Sequence, residues 1–456
     1  MMVFKHVSRI NVSLWGQRVG TLVAAPQRDV YAFRYEKGFL RSGIEISPLM
    51  MPLRAEPYVF PDLPRAAYEG LPPIFADSLP DTFGTGLIDL WLKEHGLDRD
   101  EITPLDRLAY LGRRTMGALT YEPDRGPGGR PTALDMRRLI ESARKVLNGE
   151  LASSHGDDAL REIIRLGSSA GGAQAKAVIG WNRKTHAFLL GDRDLPEGYE
   201  HWIIKFTPTD YPWRGETEYA QYERARAAGL DMSESCLYEL DGLKHFMTRR
   251  FDREGSRRHH LATLSALAHL PAETPQEHRR YEQLFITASE LGLGYEALEQ
   301  IFRRMVFNVL TGEFDDHTKN FSFVLRESSG WALAPAYDLT GSRFPREDPW
   351  SAQAGVHQLS VNGKRRGITD ADLLSVADRF GIGTAKRVLS EVRAVRLGFG
   401  RHGGVFAQRL RRACRRKAGV GRLRRQCPRP ALTHIIGNPD TRPRLSSAAA
   451  VCFEVT

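Results

Sequence analysis

Asp315 and Asn320 stand five residues apart in Asn308-Val-Leu-Thr-Gly-Glu-Phe-Asp315-Asp316-His317-Thr-Lys319-Asn320-Phe321. A carboxylate and a carboxamide at this spacing can divide the work of phosphoryl transfer. The aspartate orients an attacking hydroxyl and accepts its proton, while the asparagine oxygen offers a hard ligand to magnesium. A further aspartate, Asp338, follows the runs Phe321–Leu325 and Trp331–Ala334, which read as a hairpin turning at Ser328-Ser-Gly330. An aspartate just past such a hairpin stands where kinases carry the second metal ligand. A His/Asp metal cluster at Asp315-Asp316-His317 is the competing reading, but its spacing fits no common hydrolase motif.

Three earlier features complete a possible nucleotide site. Leu166-Gly-Ser168-Ser169-Ala-Gly171-Gly172-Ala173-Gln174 is a run of small residues leading into an apolar strand, Lys176–Trp181. Small side chains let backbone N–H groups approach phosphates, although a plain turn has the same composition. No Gly-Lys-Ser/Thr follows, which excludes a Walker-type loop. Lys205 lies in the apolar strand Trp202-Ile-Ile-Lys205-Phe206, where an ammonium costs free energy unless it meets an anion. Period-2 alternation puts Trp202, Ile204 and Phe206 on one face and Lys205 on the other. The helical segment from Glu216 to Ala228 ends at Gly229 and carries Glu218, either a partner for that lysine or a solvated glutamate. Taken together, the order is small-residue loop, strand lysine, helix glutamate, Asp-x4-Asn, hairpin and Asp. That is the order of a protein-kinase core.

These groups need a frame. Residues 1–60 carry β-like runs beginning at Val12, Val19 and Val30, and residues 60–125 read as mainly helical, with Leu87, Ile88, Trp91 and Leu92 on one stripe. Asp124-Arg-Gly-Pro-Gly-Gly-Arg-Pro131 is a loop by its Gly/Pro content. From about residue 160 the chain is strand-rich to 250 and mainly helical to 395, with no internal repeat. The expected architecture is α+β: a protein-kinase-like two-lobed fold, with a β-rich N-terminal subdomain and an all-α-dominated C-lobe. The expected divisions are 1–125 for the N-terminal subdomain, 126–160 for a linker or insertion, 161–253 for the N-lobe, 254–395 for the C-lobe and 396–456 for a basic tail.

Composition narrows the remaining classes. No stretch approaches the roughly 20 apolar residues of a membrane span, and the opening lacks an apolar signal core. The four cysteines form no CxxC pair, so neither a disulfide framework nor a zinc site is expected, and the cytoplasm is the expected compartment. The net charge of +10 is concentrated in the tail: residues 396–456 hold 14 Lys/Arg against two acids, leaving 51 basic and 53 acidic residues for 1–395. Arguments from charge to an acidic partner therefore apply only to the tail. Three readings of that tail are open. It is a disordered basic segment, a nucleic-acid-binding arm, or the product of a frameshift near Val395, which an intact mass from the native locus would distinguish.

Gly172-Ala-Gln174-Ala-Lys176, Trp202-Ile-Ile-Lys205-Phe206, Arg250-Phe251-Asp252-Arg253, Asp315-Asp-His317-Thr-Lys319-Asn320 and Ala336-Tyr-Asp338-Leu together resemble the signature of the HipA family of bacterial serine/threonine-kinase toxins. Leu14-Trp-Gly-Gln-Arg-Val-Gly-Thr-Leu, Leu79-Pro-Asp81 and Gly117-Ala-Leu119 resemble that family's N-terminal subdomain, so the likeness spans about residues 10–395. The resemblance implies an ATP- and Mg²⁺-dependent kinase. Asp315 would be its catalytic base and Asn320 and Asp338 its metal ligands. ATP would be held by Gly171, Gly172, Ala173, Gln174, Lys205, His317 and Lys319, and by the hinge backbone around Arg249 and Phe251. Glu218 would pair with Lys205. Ser169, or its neighbour Ser168, would be an inhibitory autophosphorylation site. The implied substrate is a protein serine, in a translation protein such as an aminoacyl-tRNA synthetase. The implied partner is a small helix-turn-helix, HipB-like antitoxin, through which DNA is reached indirectly; no membrane is involved. Two positions depart from the family pattern: Glu313 replaces the usual asparagine two residues before the catalytic aspartate, and Ala175 replaces an often acidic residue. Two other functions compete, a small-molecule phosphotransferase and a nucleotide-binding pseudokinase acting as co-repressor in a DNA-bound toxin–antitoxin complex.

Overall fold

Alternation sets the first sheet. In β1 (Arg9–Leu14) Ile10, Val12 and Leu14 are buried, and the strand turns through Trp15 and Gly16, both at positive φ (50° and 81°), into β2 (Gln17–Ala24). Two left-handed residues in a two-residue hairpin match the twist of the strands they join. β3 (Tyr31–Tyr35) and β4 (Leu119–Glu122) complete an antiparallel sheet in the order β3-β2-β1-β4. Between β3 and β4 run α1 (Thr82–Glu94), which buries Leu87, Ile88 and Leu92, and α2 (Pro104–Leu111). α2 starts on a capping box, with Thr103 and Asp106 exchanging side-chain and backbone bonds, and has proline inside its first turn.

The computed structural model describes residues 4–25, 30–80, 82–127, 133–147, 174–191, 194–271, 278–341 and 355–402. They fall in one compact unit, Met1–Phe399; of a second, Gly400–Thr456, only 400–402 are described. Ser168, Ser169, Gly171, Gly172, Ala173, Asp81, the second half of the 124–131 loop and the three readings of the basic tail lie outside the described residues.

A second sheet forms the N-lobe. β5 (Lys176–Trp181), β6 (Phe188–Leu190), β7 (Glu200–Lys205), β8 (Ser235–Leu240) and β9 (Leu243–Arg249) are antiparallel in the order β6-β5-β7-β9-β8. Against it lies α3 (Arg214–Ala227), which ends where Gly229 turns left-handed at φ 77°. The expected strands and helix are present, and β6 follows a turn in which His186 has φ 56°.

The C-lobe is helical around one small sheet. β10 (His260–Thr263), β11 (Ser322–Arg326) and β12 (Gly330–Leu333) pair antiparallel, the last two as the expected hairpin. The long helix α4 (Tyr295–Thr311) buries Ile301, Phe302, Met305 and Val306, and stops at Gly312, left-handed at φ 71°. α5 (Asp370–Arg379) and α6 (Ala385–His402) follow, so the last helix runs past the boundary expected at 395.

Buried polar bonds join the N-terminal subdomain to the lobes. Asp77 accepts from the Thr263 backbone N–H at 2.7 Å and its hydroxyl at 2.9 Å, and the Tyr68 hydroxyl donates to the Ser265 carbonyl at 2.9 Å. His260 Nε2 meets the Ile46 carbonyl at 2.9 Å, and Trp15 donates to the Arg258 carbonyl at 2.7 Å. Each satisfies a group that would be costly to bury alone.

Candidate active site

Lys205 is the hub. At the end of β7 its ammonium donates to Glu218 on α3 and, at 2.5 Å, to Asp338 Oδ1 beyond the β11–β12 hairpin. Three elements distant in sequence thus converge on one buried cation. Burial works against the Lys205 charge, but Asp338 and Glu218 outweigh it and hold the group above the usual lysine range. Burial also opposes charge on Asp338, where Lys205 and Lys176 prevail and hold the carboxyl below the usual aspartate range. Glu218 goes the other way: burial raises it, and Lys205 only partly offsets this. The two carboxylates on Lys205 are thus shifted in opposite directions, Glu218 up and Asp338 down.

Lys176 belongs to this cluster although its role was not assigned from sequence. It pairs in register with Lys205 across β5 and β7, and it is 3% exposed. Directly paired residues project from the same face of a sheet, and like charges so placed repel unless anions lie between them. The available signal was its position two residues after Gln174, at the start of the strand that leaves the small-residue loop.

The catalytic loop follows Gly312. Asn320 Nδ2 donates to the Asp315 backbone carbonyl at 2.8 Å, which turns the amide oxygen the other way. That oxygen and the Asp338 carboxylate are hard donors of the kind magnesium takes beside substrate phosphates. Among the described residues no group of three or more His, Cys, Asp or Glu could hold a metal by itself, which overturns the His/Asp cluster reading of residues 315–317. The reason is that Asp316 turns away: it is fully buried and accepts from the Tyr281 hydroxyl, His357 Nδ1 and the Gln358 backbone N–H at 2.7, 2.8 and 2.6 Å.

Asp315 remains half-exposed at the cleft, with His317 Nε2 3.7 Å from its Oδ1. Partial burial raises its carboxyl above the usual range, with Asp338 and Asp316 adding and His317 opposing. A raised carboxylate is a stronger base for a hydroxyl proton. Asp315, Asp316, Asn320, Tyr337 and Asp338 line one small cavity between the loop and the post-hairpin turn.

Other expected residues are placed less centrally. Gln174 donates to the Phe206 carbonyl at 3.2 Å, which fixes the end of the small-residue loop to β7. Lys319 is exposed, and its carbonyl accepts from the Tyr337 hydroxyl at 2.7 Å. In the hinge segment the Arg249 and Arg250 amides are bonded to the Glu234 and His201 carbonyls at 2.8 and 2.9 Å, so neither is a donor for a base. The Arg249 side chain points outward toward Glu200. Phe251 packs its ring 5.7 Å from that of Tyr337, the neighbour of Asp338.

A lysine clamped between a helix glutamate and a post-hairpin aspartate, above an Asp/Asn loop on a two-lobed α+β frame, defines a protein-kinase-like protein. The HipA N-terminal domain family matches residues 10–122 and the HipA-like C-terminal domain family residues 168–397, half of the chain, and the protein belongs to the HipA family. A putative kinase, Y4dM, of Sinorhizobium fredii is 26% identical over 353 residues, 73% of this chain and 77% of that protein. The serine/threonine-protein kinase toxin HipA of Shewanella oneidensis is 22% identical over 346 residues, 70% of this chain and 72% of that protein. A solved complex of Shewanella oneidensis HipA, HipB and operator DNA matches the fold with a TM-score of 0.60 at 18% identity, covering 85% of this chain and 91% of that one. No helix among the described residues is long and apolar enough to cross a membrane.

Proposed function

We propose that this protein is an ATP-dependent serine/threonine protein kinase that arrests growth as the toxin of a toxin–antitoxin pair. The observation that carries the reading is the Lys205 bridge to both Glu218 and Asp338. Nothing in a purely structural role requires a buried lysine to join two lobes beside a second buried lysine.

In this reading the nucleotide phosphates lie between Lys176 and Lys205, under the small-residue loop that ends at Gln174. The adenine edge faces the backbone at 249–251, with the Phe251 amide as donor, since those of Arg249 and Arg250 are already bonded. Asn320 Oδ1 and Asp338 would hold Mg²⁺, which supplies charge neutralisation for the β- and γ-phosphates. Asp315 orients a serine hydroxyl and takes its proton as the oxygen bonds to the γ-phosphorus and the bond to the β–γ bridging oxygen breaks, releasing ADP. His317 and Lys319 flank that base on the loop. Phosphate placed on Ser169 or Ser168 adds about −1.5 to −2 charge to the loop and would expel it from the nucleotide.

The substrate class we propose is a protein serine, with translation proteins such as aminoacyl-tRNA synthetases first to be tried. The proposed neutralising partner is a small helix-turn-helix protein, by extension from the Shewanella HipA solved with HipB. The divisions 1–125, 161–253 and 254–395 serve in this proposal as N-terminal subdomain, N-lobe and C-lobe.

The test is phosphopeptide mapping after incubation with Mg²⁺-ATP, beside Asp315→Asn. Phosphate on Ser168 or Ser169 that the variant lacks supports the proposal. ATP binding without phosphate on any substrate would replace it with a pseudokinase.

A further inference from the structure

Glu313 has no part in the roles above, yet both ends of it are fixed. It follows Gly312, and its own backbone N–H closes the end of α4 on the Asn308 carbonyl at 2.9 Å. Its side chain, 1% exposed, crosses to the turn that follows Asp338. There Oε2 accepts from the Gly341 backbone N–H at 2.6 Å and Oε1 from Thr340 Oγ1 at 3.2 Å. A carboxylate accepting from a backbone N–H in a buried setting makes a short, strong bond.

The turn needs such a bond. Asp338 has φ 54° and Gly341 φ 65°. A non-glycine residue stays left-handed only where its surroundings over-determine it. Upstream of Asp338 two bonds do this: the Ala336 N–H to the Asp231 carbonyl, and the Tyr337 hydroxyl to the Lys319 carbonyl, both at 2.7 Å. Downstream the hold comes from Glu313, on residues two and three places past Asp338. Gly341 also comes close to Thr217, the neighbour of Glu218: a Cβ on it would lie 3.4 Å from the Thr217 methyl. The turn is therefore placed against the loop on one side and α3 on the other.

We propose that Glu313 is a positioning residue that clamps the 338–341 turn to the catalytic loop and so aims the Asp338 carboxylate at Lys205 and the metal position. Its catalytic consequence rests on the kinase reading; the clamp itself does not. Both carboxylate oxygens are engaged by the turn, so Glu313 is not offered as a metal ligand.

The experiment compares the full chain with Glu313→Ala and Glu313→Gln. Hydrogen exchange of the peptide containing 338–341 reads the clamp directly. Phosphoryl transfer as a function of ATP and Mg²⁺ reads its consequence. In Glu313→Ala, exchange should quicken about tenfold or more. The rate constant for transfer should fall by about 10- to 100-fold, and half-saturating Mg²⁺ should rise several-fold with the KM for ATP nearly unchanged. Glu313→Gln keeps an acceptor for the Gly341 N–H and should recover most of both effects. Unchanged exchange in Glu313→Ala overturns the clamp whether or not the protein is a kinase. Faster exchange with wild-type Mg²⁺ dependence, or a glutamine variant as impaired as alanine, overturns the positioning role. A wild-type protein that transfers no phosphate but shows the exchange effect defeats the kinase reading and leaves the clamp standing.

Discussion

Two buried ion clusters lie at either side of the hinge, and they are built on opposite plans. In one the hub is a cation: Lys205 between Glu218 and Asp338. In the other it is an anion. Asp252, fully buried, accepts two bonds from Arg250 at 2.9 and 2.7 Å, one from Arg253 at 2.6 Å and one from the Gly117 backbone N–H at 2.7 Å. Arg253 and Arg258 also donate through their terminal nitrogens to the Thr115 and Gly117 carbonyls. The partners of Asp252 span the N-terminal subdomain and the hinge. Asp252 thus has four bonds from within the chain. The first cluster contains a carboxylate with a second proposed use, as metal ligand, and two lysines that face one another across β5 and β7. Burial and charge therefore do not by themselves mark a site. The candidate site differs in gathering two lysines and two carboxylates beside the Asp315–Asn320 loop.

Removing the anionic hub with Asp252→Ala leaves Arg250 and Arg253 buried without their counter-ion, and should cost about 3–5 kcal/mol in urea unfolding, a loss of stability first and of activity only through it. Asp315→Asn should do the reverse, lowering phosphoryl transfer by about 10²- to 10⁴-fold with an unchanged unfolding midpoint. If both variants lost stability equally, the two clusters would not be distinct in kind.

The subdomain junction should also be sensitive to acid. Burial holds His260 down to about 4, opposed only by its bond to the Ile46 carbonyl. Its folded value lies below the unfolded one, about 6.5. The unfolded chain therefore binds the extra proton, and stability falls as pH drops from about 6.5 to about 4. A loss of about 1–3 kcal/mol over that window is expected in denaturant titrations, and His260→Asn should flatten it. Asp252, held below the usual range because Arg250 and Arg253 outweigh its burial, adds a second loss only below about pH 4.

Gly117 is left-handed at φ 73°, and a Cβ there would come within 3.0 Å of the Leu261 backbone nitrogen. Gly117→Ala should cost about 1–2 kcal/mol in thermal unfolding by straining the left-handed turn whose N–H bonds Asp252. Lys176→Met should weaken ATP binding about tenfold by calorimetry, roughly 1.4 kcal/mol, and leave adenosine binding unchanged. Equal losses for both ligands would make Lys176 a structural lysine.

Particular residues show how far the sequence was readable. The strands at Lys176–Trp181 and Glu200–Lys205, the helix over Glu218 and the hairpin before Asp338 were legible because each is written in local periodicity and punctuated by Gly or a short polar turn. Glu218 was readable only as one of two alternatives, since a helix glutamate looks the same whether it faces solvent or a lysine 13 residues away. Lys176 carried no role because cross-strand register is not a local property: it depends on which strands pair and at what offset.

Readable from the chain alone were the order of the chemical groups, the elements that carry them and the family to which they belong. Each depends on residues near one another in sequence. Folding brought Lys205 to two carboxylates, turned Asp316 inward while Asp315 faces the cleft, and bonded the Arg249 amide. It alone joined Glu313 to Gly341, 28 residues on. The physical reason is that these are matters of competition for hydrogen-bond partners between segments far apart in the chain. The winner is set by where packing brings the segments together, not by the composition of either one.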